Sequence, residues 1–176
     1  ADSDGIIRSF VTAQDIRKTP EMAGQALPRL NFGALLAVRS TQQDPSAKTW
    51  QLGGRRIQGD NQTLSIGYAG PPGTIPRISL GRLMQLNALK DPAVQALKGK
   101  VVIIGGEYNG MGDTFATPYS TGLFGGGNLM TGPEIQANIV ETLLSGKQNH
   151  PTPMPLRIAY FLLAIGLAVL VYQRSA

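Results

Sequence analysis

Residues 101–105 read VVIIG, and this stretch decides the predicted fold. Its first four residues are apolar and β-branched, a pattern that is typical of a strand buried on both faces, as in a parallel sheet. Further along, Pro133 and Gly146 bracket a predicted helix over residues 134–144 that has one apolar face. Because strands and helices alternate in this half of the chain, we expect a right-handed crossover and a partly parallel sheet.

The first half of the chain predicts antiparallel pairing beside that sheet. Predicted strands cover residues 6–11 and 63–68, and predicted helices cover residues 30–39, 80–86 and 92–97. Residues 49–57 read as a hairpin that turns at Gly53-Gly54, a dipeptide that accepts the positive φ angles of a type I′ turn. The predicted fold class is therefore α/β, with a mixed, partly parallel sheet flanked by helices and followed by a C-terminal transmembrane helix.

Residues 158–172 read IAYFLLAIGLAVLVY and carry no charge. As a helix this run is about 22 Å long, which is shorter than the ~30 Å hydrocarbon core of a membrane. The flanking Arg157 and Arg174 can extend its reach because long basic side chains direct their charge towards the interface. The run is apolar on all sides, which favours a membrane span over a buried core helix.

Composition excludes several classes of protein. The chain has 176 residues, a formal net charge of +5, no cysteine and one histidine, His150. Without cysteine there is no disulfide framework, no thiolate zinc site and no cysteine nucleophile. One histidine is too few for a histidine-rich metal site, so no metal and no cofactor are predicted. The basic residues occur singly or in pairs, without the run that tracks a phosphate backbone, so no nucleic-acid partner is predicted.

A glycine-rich loop over residues 105–131 follows the predicted strand, at the end of a sheet where α/β proteins bind ligands. Gly105 and Gly110 have the spacing of a phosphate loop, but Met111-Gly112 stand where lysine and a hydroxyl residue are needed. Such a loop is either plain surface or functional, and long loops are often functional. The candidate ligand-binding residues are therefore its polar side chains, Glu107, Asp113, Thr117 and Tyr119.

Five motifs in order resemble a known family. They read D-x-DGIIR at residues 2–8, IGYAGPPGT at 66–74, LKGKVVIIG at 97–105, DTF-x-TP at 113–118, and GPEIQAN at 132–138 with LL-x-G at 143–146. Together they resemble the second half of a CHASE2 domain, an extracytoplasmic sensory module of bacterial membrane receptors. The resemblance covers residues 1–150.

The resemblance implies an organisation for the chain. Residues 1–150 would form the sensor domain outside the cytoplasm, residues 151–157 a proline-rich linker, and residues 158–173 a helix in the bacterial inner membrane. A cytoplasmic effector, either a nucleotide cyclase or a kinase, would follow in the same polypeptide. We expect the early strands of the family's domain to lie in a preceding part of that polypeptide. A small molecule or a stress would be the signal, and a homodimer is a further expected partner.

Three functions remain open at this level. The first is a sensory input module whose output passes through the helix at residues 134–144 and the linker to the membrane helix. The second is a membrane-anchored structural or dimerisation module. The third is a catalytic domain that uses Asp113 and Glu107 as acid and base, although no catalytic constellation is recognised in the sequence.

Overall fold

A computed structural model describes residues 3–13, 30–59, 61–106, 112–120, 127–148 and 153–175. The strands are β1 (Ser9–Val11), β2 (Thr49–Leu52), β3 (Arg55–Gln58), β4 (Thr63–Ser65), β5 (Thr114–Phe115) and β6 (Met130–Thr131). The helices are α1 (Phe32–Ser40), α2 (Leu80–Leu83), α3 (Pro92–Gln95), α4 (Gly132–Ser145) and α5 (Met154–Ser175), with a 3₁₀ turn at Ala88–Lys90. Helices and small sheets together confirm the predicted α/β class.

The strands pair in three antiparallel couples, β1 with β4, β2 with β3, and β5 with β6. The predicted hairpin is confirmed, since Gly53 and Gly54 form its turn with φ angles of 55° and 73°. Within the described part of the chain, parallel pairing is confined to one isolated bridge between Ile6 and Ala116. The sheets are therefore smaller than the sequence predicts.

The predicted buried strand at residues 101–104 is wrong. These residues belong to none of the described strands, and Val102 and Ile104 are 49% and 87% exposed. A β-branched run favours a strand only where neighbouring strands complete its hydrogen bonds and cover its faces. The predicted helix over residues 80–86 is likewise reduced to the single turn of α2, because a short helix needs packing to be stable.

The core lies between α1, α4 and the sheets. Its largest fully buried side chains include Val38, Ile66, Met130 and Leu143, and Trp50 is 3% exposed. The two helices approach each other closely at Gly33, where an added Cβ would lie 2.7 Å from Cγ2 of Ile139. This contact fixes α1 against the middle of α4.

Helix α5 is the candidate membrane span. Within its 21 residues from Met154 to Arg174, the most apolar window of 18 residues has a mean hydropathy of 2.1, and none of that window is buried in the protein. The 22-residue helix is about 33 Å long, enough to cross a ~30 Å hydrocarbon core. It begins at Met154 and so includes residues 154–157 of the predicted linker; Pro155 fits its first turn, where backbone N–H groups lack helical partners.

Candidate functional site

Helix α4 is the element on which the candidate site is built. Pro133 lies in its first turn, and Gly146 ends it with a φ of 70°, as the sequence predicts. Its apolar face, formed by Ile135, Ile139 and Leu143, packs into the core. The helix is therefore held along its whole length on that side.

A buried polar row lies beside the apolar face of α4. Its members are Glu134, Asn138 and Thr142, which are 5%, 1% and 1% exposed. Residues four apart lie one above the other on a helix, so their side chains form a continuous row. Each accepts a hydrogen bond from the backbone of residues 66–75, the segment that follows β4. The bonds run from the N–H of Gly73 to Oε1 of Glu134 (2.7 Å), from Ala69 to Oδ1 of Asn138 (2.9 Å), and from Gly67 to Oγ1 of Thr142 (2.9 Å).

The polar row is also hydrogen-bonded within the helix. Nδ2 of Asn138 donates to the carbonyl oxygen of Glu134 at 2.9 Å, and the hydroxyl of Thr142 donates to the carbonyl oxygen of Asn138 at 2.6 Å. No buried side-chain nitrogen or oxygen in the described part of the chain lacks a partner. Because an unpaired buried polar group is unfavourable, these bonds hold residues 66–75 and α4 together.

The C-terminal end of α4 touches two glycines. A Cβ on Gly53 would overlap the backbone of Gly146, and a Cβ on Gly67 would overlap the carbonyl oxygen of Lys147. Nearby, the Arg55 guanidinium donates to Oε1 of Gln148 at 3.0 Å. The residues that lead from α4 towards α5 are therefore in contact with the β2–β3 turn and with residues 66–75.

A cleft opens at the N-terminal end of α4. Its volume is about 360 Å³, and it is lined by Ile7, Phe32, Ile103, Ile104, Asp113, Phe115, Gly132, Pro133, Ile135 and Gln136. Most of these side chains are apolar, with Asp113 and Gln136 as the polar groups. Oε1 of Gln136 accepts a hydrogen bond from the N–H of Gly33 at 3.0 Å. The cleft therefore combines an apolar wall with one carboxylate.

Asp113 is positioned by the start of α4. Its carbonyl oxygen accepts a hydrogen bond from the N–H of Gly132 at 3.0 Å. Its carboxylate lies so close to Gly132 that a Cβ there would overlap it. No described residue forms a hydrogen bond or an ion pair with this carboxylate. Asp113 thus places its carboxyl group at the N-terminal end of α4.

The other predicted site residues have different surroundings. Thr117 is fully buried, and its N–H donates to Oγ of Ser120 at 3.1 Å, so it shapes the turn that follows β5. Tyr119 is 40% exposed, and its ring meets that of Tyr68 edge to face at 6.3 Å between centroids. Neither lines the cleft. Glu107 lies outside the described residues.

Tyr68 connects residues 66–75 with a wall of the cleft. Its hydroxyl donates to the carbonyl oxygen of Ile7 at 2.9 Å, and Ile7 lines the cleft. Burial raises the pKa of Tyr68 to about 12, because the phenolate is poorly solvated there. The phenol therefore stays neutral and remains a hydrogen-bond donor at physiological pH.

Sequence reasoning missed the polar row of α4. It identified the apolar face of this helix but gave no role to Glu134, Asn138 and Thr142. Their spacing of four residues on the border of that face was the available signal. Their partners are backbone N–H groups about 60 to 75 residues earlier in the chain, and no sequence pattern marks such partners. No cluster of three metal-ligating side chains occurs in the ranges that the structure describes.

Comparison with known proteins shows the family. The sequence model of the CHASE2 domain matches residues 1–172, nearly the whole chain. No curated protein and no solved structure matches the chain. The match includes all five motifs noted in the sequence, as well as α4 and most of α5. The chain therefore belongs to the CHASE2 family of extracytoplasmic sensory domains.

Proposed function

We propose that residues 1–150 are the signal-input module of a bacterial membrane receptor, and that the output passes through α4 and α5 to a cytoplasmic effector. The effector would be a nucleotide cyclase or a kinase in the same polypeptide. The observation that carries this proposal is the polar row of α4. Three side chains join this helix to residues 66–75, so the two would shift as one body rather than independently.

The cleft at the N-terminal end of α4 is the proposed input site. Asp113 would contact the signal molecule, and Tyr119, through Tyr68, would support the neighbouring wall. Glu107 and Thr117 belong to the same stretch of chain, with Thr117 fixing its turn. A volume of about 360 Å³ lies at the lower end of the ~300–1,000 Å³ range of small-molecule sites. Binding would change the output only if the ligand prefers one of two positions of α4.

The proposed output route begins where α4 ends. Contacts of Gly146 and Lys147 with Gly53 and Gly67 would convert a shift of α4 into a shift of the following residues. Pro151 and Pro153 restrict the backbone of this connection, which favours transmission of a displacement. Helix α5 would carry the shift across the inner membrane, with Arg174 on the cytoplasmic side.

An insertion at the connection tests the relay. We would insert Gly-Ser between Pro153 and Met154 of the intact receptor and measure effector turnover in native membranes. Signalling should be lost while Trp50 fluorescence shows that the domain remains folded, because a flexible pair absorbs the displacement. The same insertion between Thr41 and Gln42, two exposed residues away from the route, is the matched control.

The two insertions also separate the competing functions. A receptor that signals normally with both insertions would contradict the relay, and a structural or dimerisation module would then explain the domain better. Substituting Asp113→Asn tests the input site separately. It should weaken the response to the signal while leaving unstimulated turnover unchanged, since Asp113 makes no side-chain bond with the described residues.

A further inference from the structure

Residues 71–106 carry most of the net charge of the chain and none of its core. The structure describes every residue of this basic segment, and none of them is buried. It has one acidic residue, Asp91, and its net charge of +4 compares with +5 for the whole chain. Its five basic residues are Arg77, Arg82, Lys90, Lys98 and Lys100.

Large apolar side chains of the basic segment are exposed to solvent. Leu80, Met84, Leu86 and Leu89 are 66%, 78%, 106% and 85% exposed. Successive backbone bonds connect them in consecutive turns, including Met84 N–H to Leu80 O at 3.0 Å and Ala88 N–H to Gln85 O at 3.0 Å. Four large exposed apolar side chains therefore lie in one stretch of ten residues whose backbone forms consecutive turns. Exposed apolar clusters of this kind mark interaction sites, and basic residues around them favour an anionic lipid surface.

We propose that the basic segment lies on the surface of the membrane that α5 spans and binds anionic lipid there. The leucine and methionine side chains would enter the headgroup region, and the lysine and arginine side chains would contact lipid phosphates. This inference rests on α5 crossing a membrane, which is part of the proposed function. It adds a second attachment of the domain, distinct from the helix itself.

The chain is long enough for this contact. Gly73 bonds to Glu134 and Gly105 packs on Pro133, so both ends of the basic segment lie at the N-terminal end of α4. That end is about 21 Å from the C-terminal end of the 14-residue helix. The eight residue-to-residue steps from Gly146 to Met154 reach up to about 27 Å. The domain can therefore lie with α4 along the membrane and the basic segment against it.

Charge favours lipid over a second copy of the chain. A symmetric dimer through this segment would bring two surfaces of net charge +4 together, and like charges across an interface oppose association. Anionic headgroups neutralise the same charges. Because α5 keeps the domain next to the membrane, lipid is also present at a high effective concentration.

Site-specific labelling of the full chain tests the proposal. The chain has no cysteine, so Met84→Cys and Leu89→Cys each accept one environment-sensitive fluorophore. Gln51→Cys, at the exposed position of β2, is the control. Each labelled chain is placed in nanodiscs of phosphatidylglycerol or of phosphatidylcholine. We expect blue-shifted emission and protection from aqueous iodide at positions 84 and 89 in phosphatidylglycerol only, with the shift declining as salt is added.

Charge variants sharpen the result. Lys98→Gln and Lys100→Gln should each weaken binding of the basic segment to the phosphatidylglycerol surface about fivefold, read from the emission at positions 84 and 89, whereas Lys48→Gln, an exposed lysine outside the segment, should leave it unchanged. Emission at positions 84 and 89 that matches position 51 in both lipids would overturn the proposal and favour an acidic protein partner. Equal blue shifts in the two lipids would also overturn it. Co-elution of the chain with nanodiscs reports on α5 independently, so failure of the span and failure of the surface contact are distinguishable.

Discussion

The region around α4 and the basic segment at residues 71–106 differ in how far their side chains are buried. Around α4, even polar side chains are buried, and Glu134, Asn138 and Thr142 all have hydrogen-bond partners. In the basic segment, even leucines are exposed, and Leu86 is 106% exposed. The spacing of apolar residues does not separate the two, since both contain regularly spaced apolar residues. The two regions differ instead in whether a packing partner is present: α4 has one along its apolar face, and the basic segment leaves its surface available to another molecule.

Core truncation gives the largest expected contrast between these regions. Leu143→Ala removes a side chain that is 2% exposed, so it should lower the free energy of unfolding by about 2–5 kcal/mol. Leu86→Ala truncates an exposed leucine of the basic segment and is the matched control. It should change the free energy of unfolding by less than ~0.5 kcal/mol. Denaturation of the full chain in detergent, followed by the fluorescence of the single Trp50, measures both. An equal decrease in the free energy of unfolding of the two variants would mean that the basic segment is packed against the domain.

The polar row should show an intermediate effect. Asn138→Ala leaves the N–H of Ala69 without its 2.9 Å partner, at a cost of about 1–3 kcal/mol in the free energy of unfolding. Glu141→Ala changes an exposed residue of the same helix and serves as the control. In the intact receptor, Asn138→Ala should also reduce signalling, because α4 and residues 66–75 would no longer move together. Wild-type signalling at reduced stability would separate the structural role of Asn138 from the relay.

Local patterns predicted the helices and turns of the packed region well. Gly146 ends α4, the Gly53-Gly54 turn forms the hairpin, and α1 occupies most of residues 30–39. Each of these features depends on residues that are neighbours in sequence. Asp113, a candidate because of its place in the glycine-rich loop, lines the cleft.

Patterns failed where a distant partner decides the structure. The β-branched run at residues 101–104 is a strand only if other strands pair with it, and it pairs with none in the described part of the chain. The polar row could not be recognised because its partners are backbone groups that carry no side-chain signature. The cleft depends on Ile7, Phe32 and Pro133, which are far apart in sequence. Both errors and omissions therefore concern long-range contacts.

Alkaline pH provides a smaller test of the packed region. Burial raises the pKa of Tyr68 to about 12, against 10.0 for an exposed tyrosine, so the folded chain retains a proton that the unfolded chain releases. The stability that Tyr68 contributes is thus present below pH 10 and is lost between pH 10 and about pH 12. The stability difference between wild type and Tyr68→Phe should shrink over this interval. Tyr119→Phe, a more exposed ring, is the control, and a constant difference would contradict burial of the phenol.

The ion pair of the basic segment should give the smallest effect. The Arg82 guanidinium donates to Asp91 at 2.8 Å and lowers the pKa of that carboxyl, which also accepts a hydrogen bond from the N–H of Ala93. The pair stabilises the fold only while Asp91 is ionised, so its contribution fades as pH falls through that lowered pKa. Arg82→Gln should move the pKa of Asp91 towards its ordinary value, as measured by NMR titration, and leave the unfolding midpoint almost unchanged, because exposed pairs are screened by solvent. A midpoint shift as large as that of Leu143→Ala would show that Arg82 holds the segment on a packed surface, and the contrast between the two regions would then disappear.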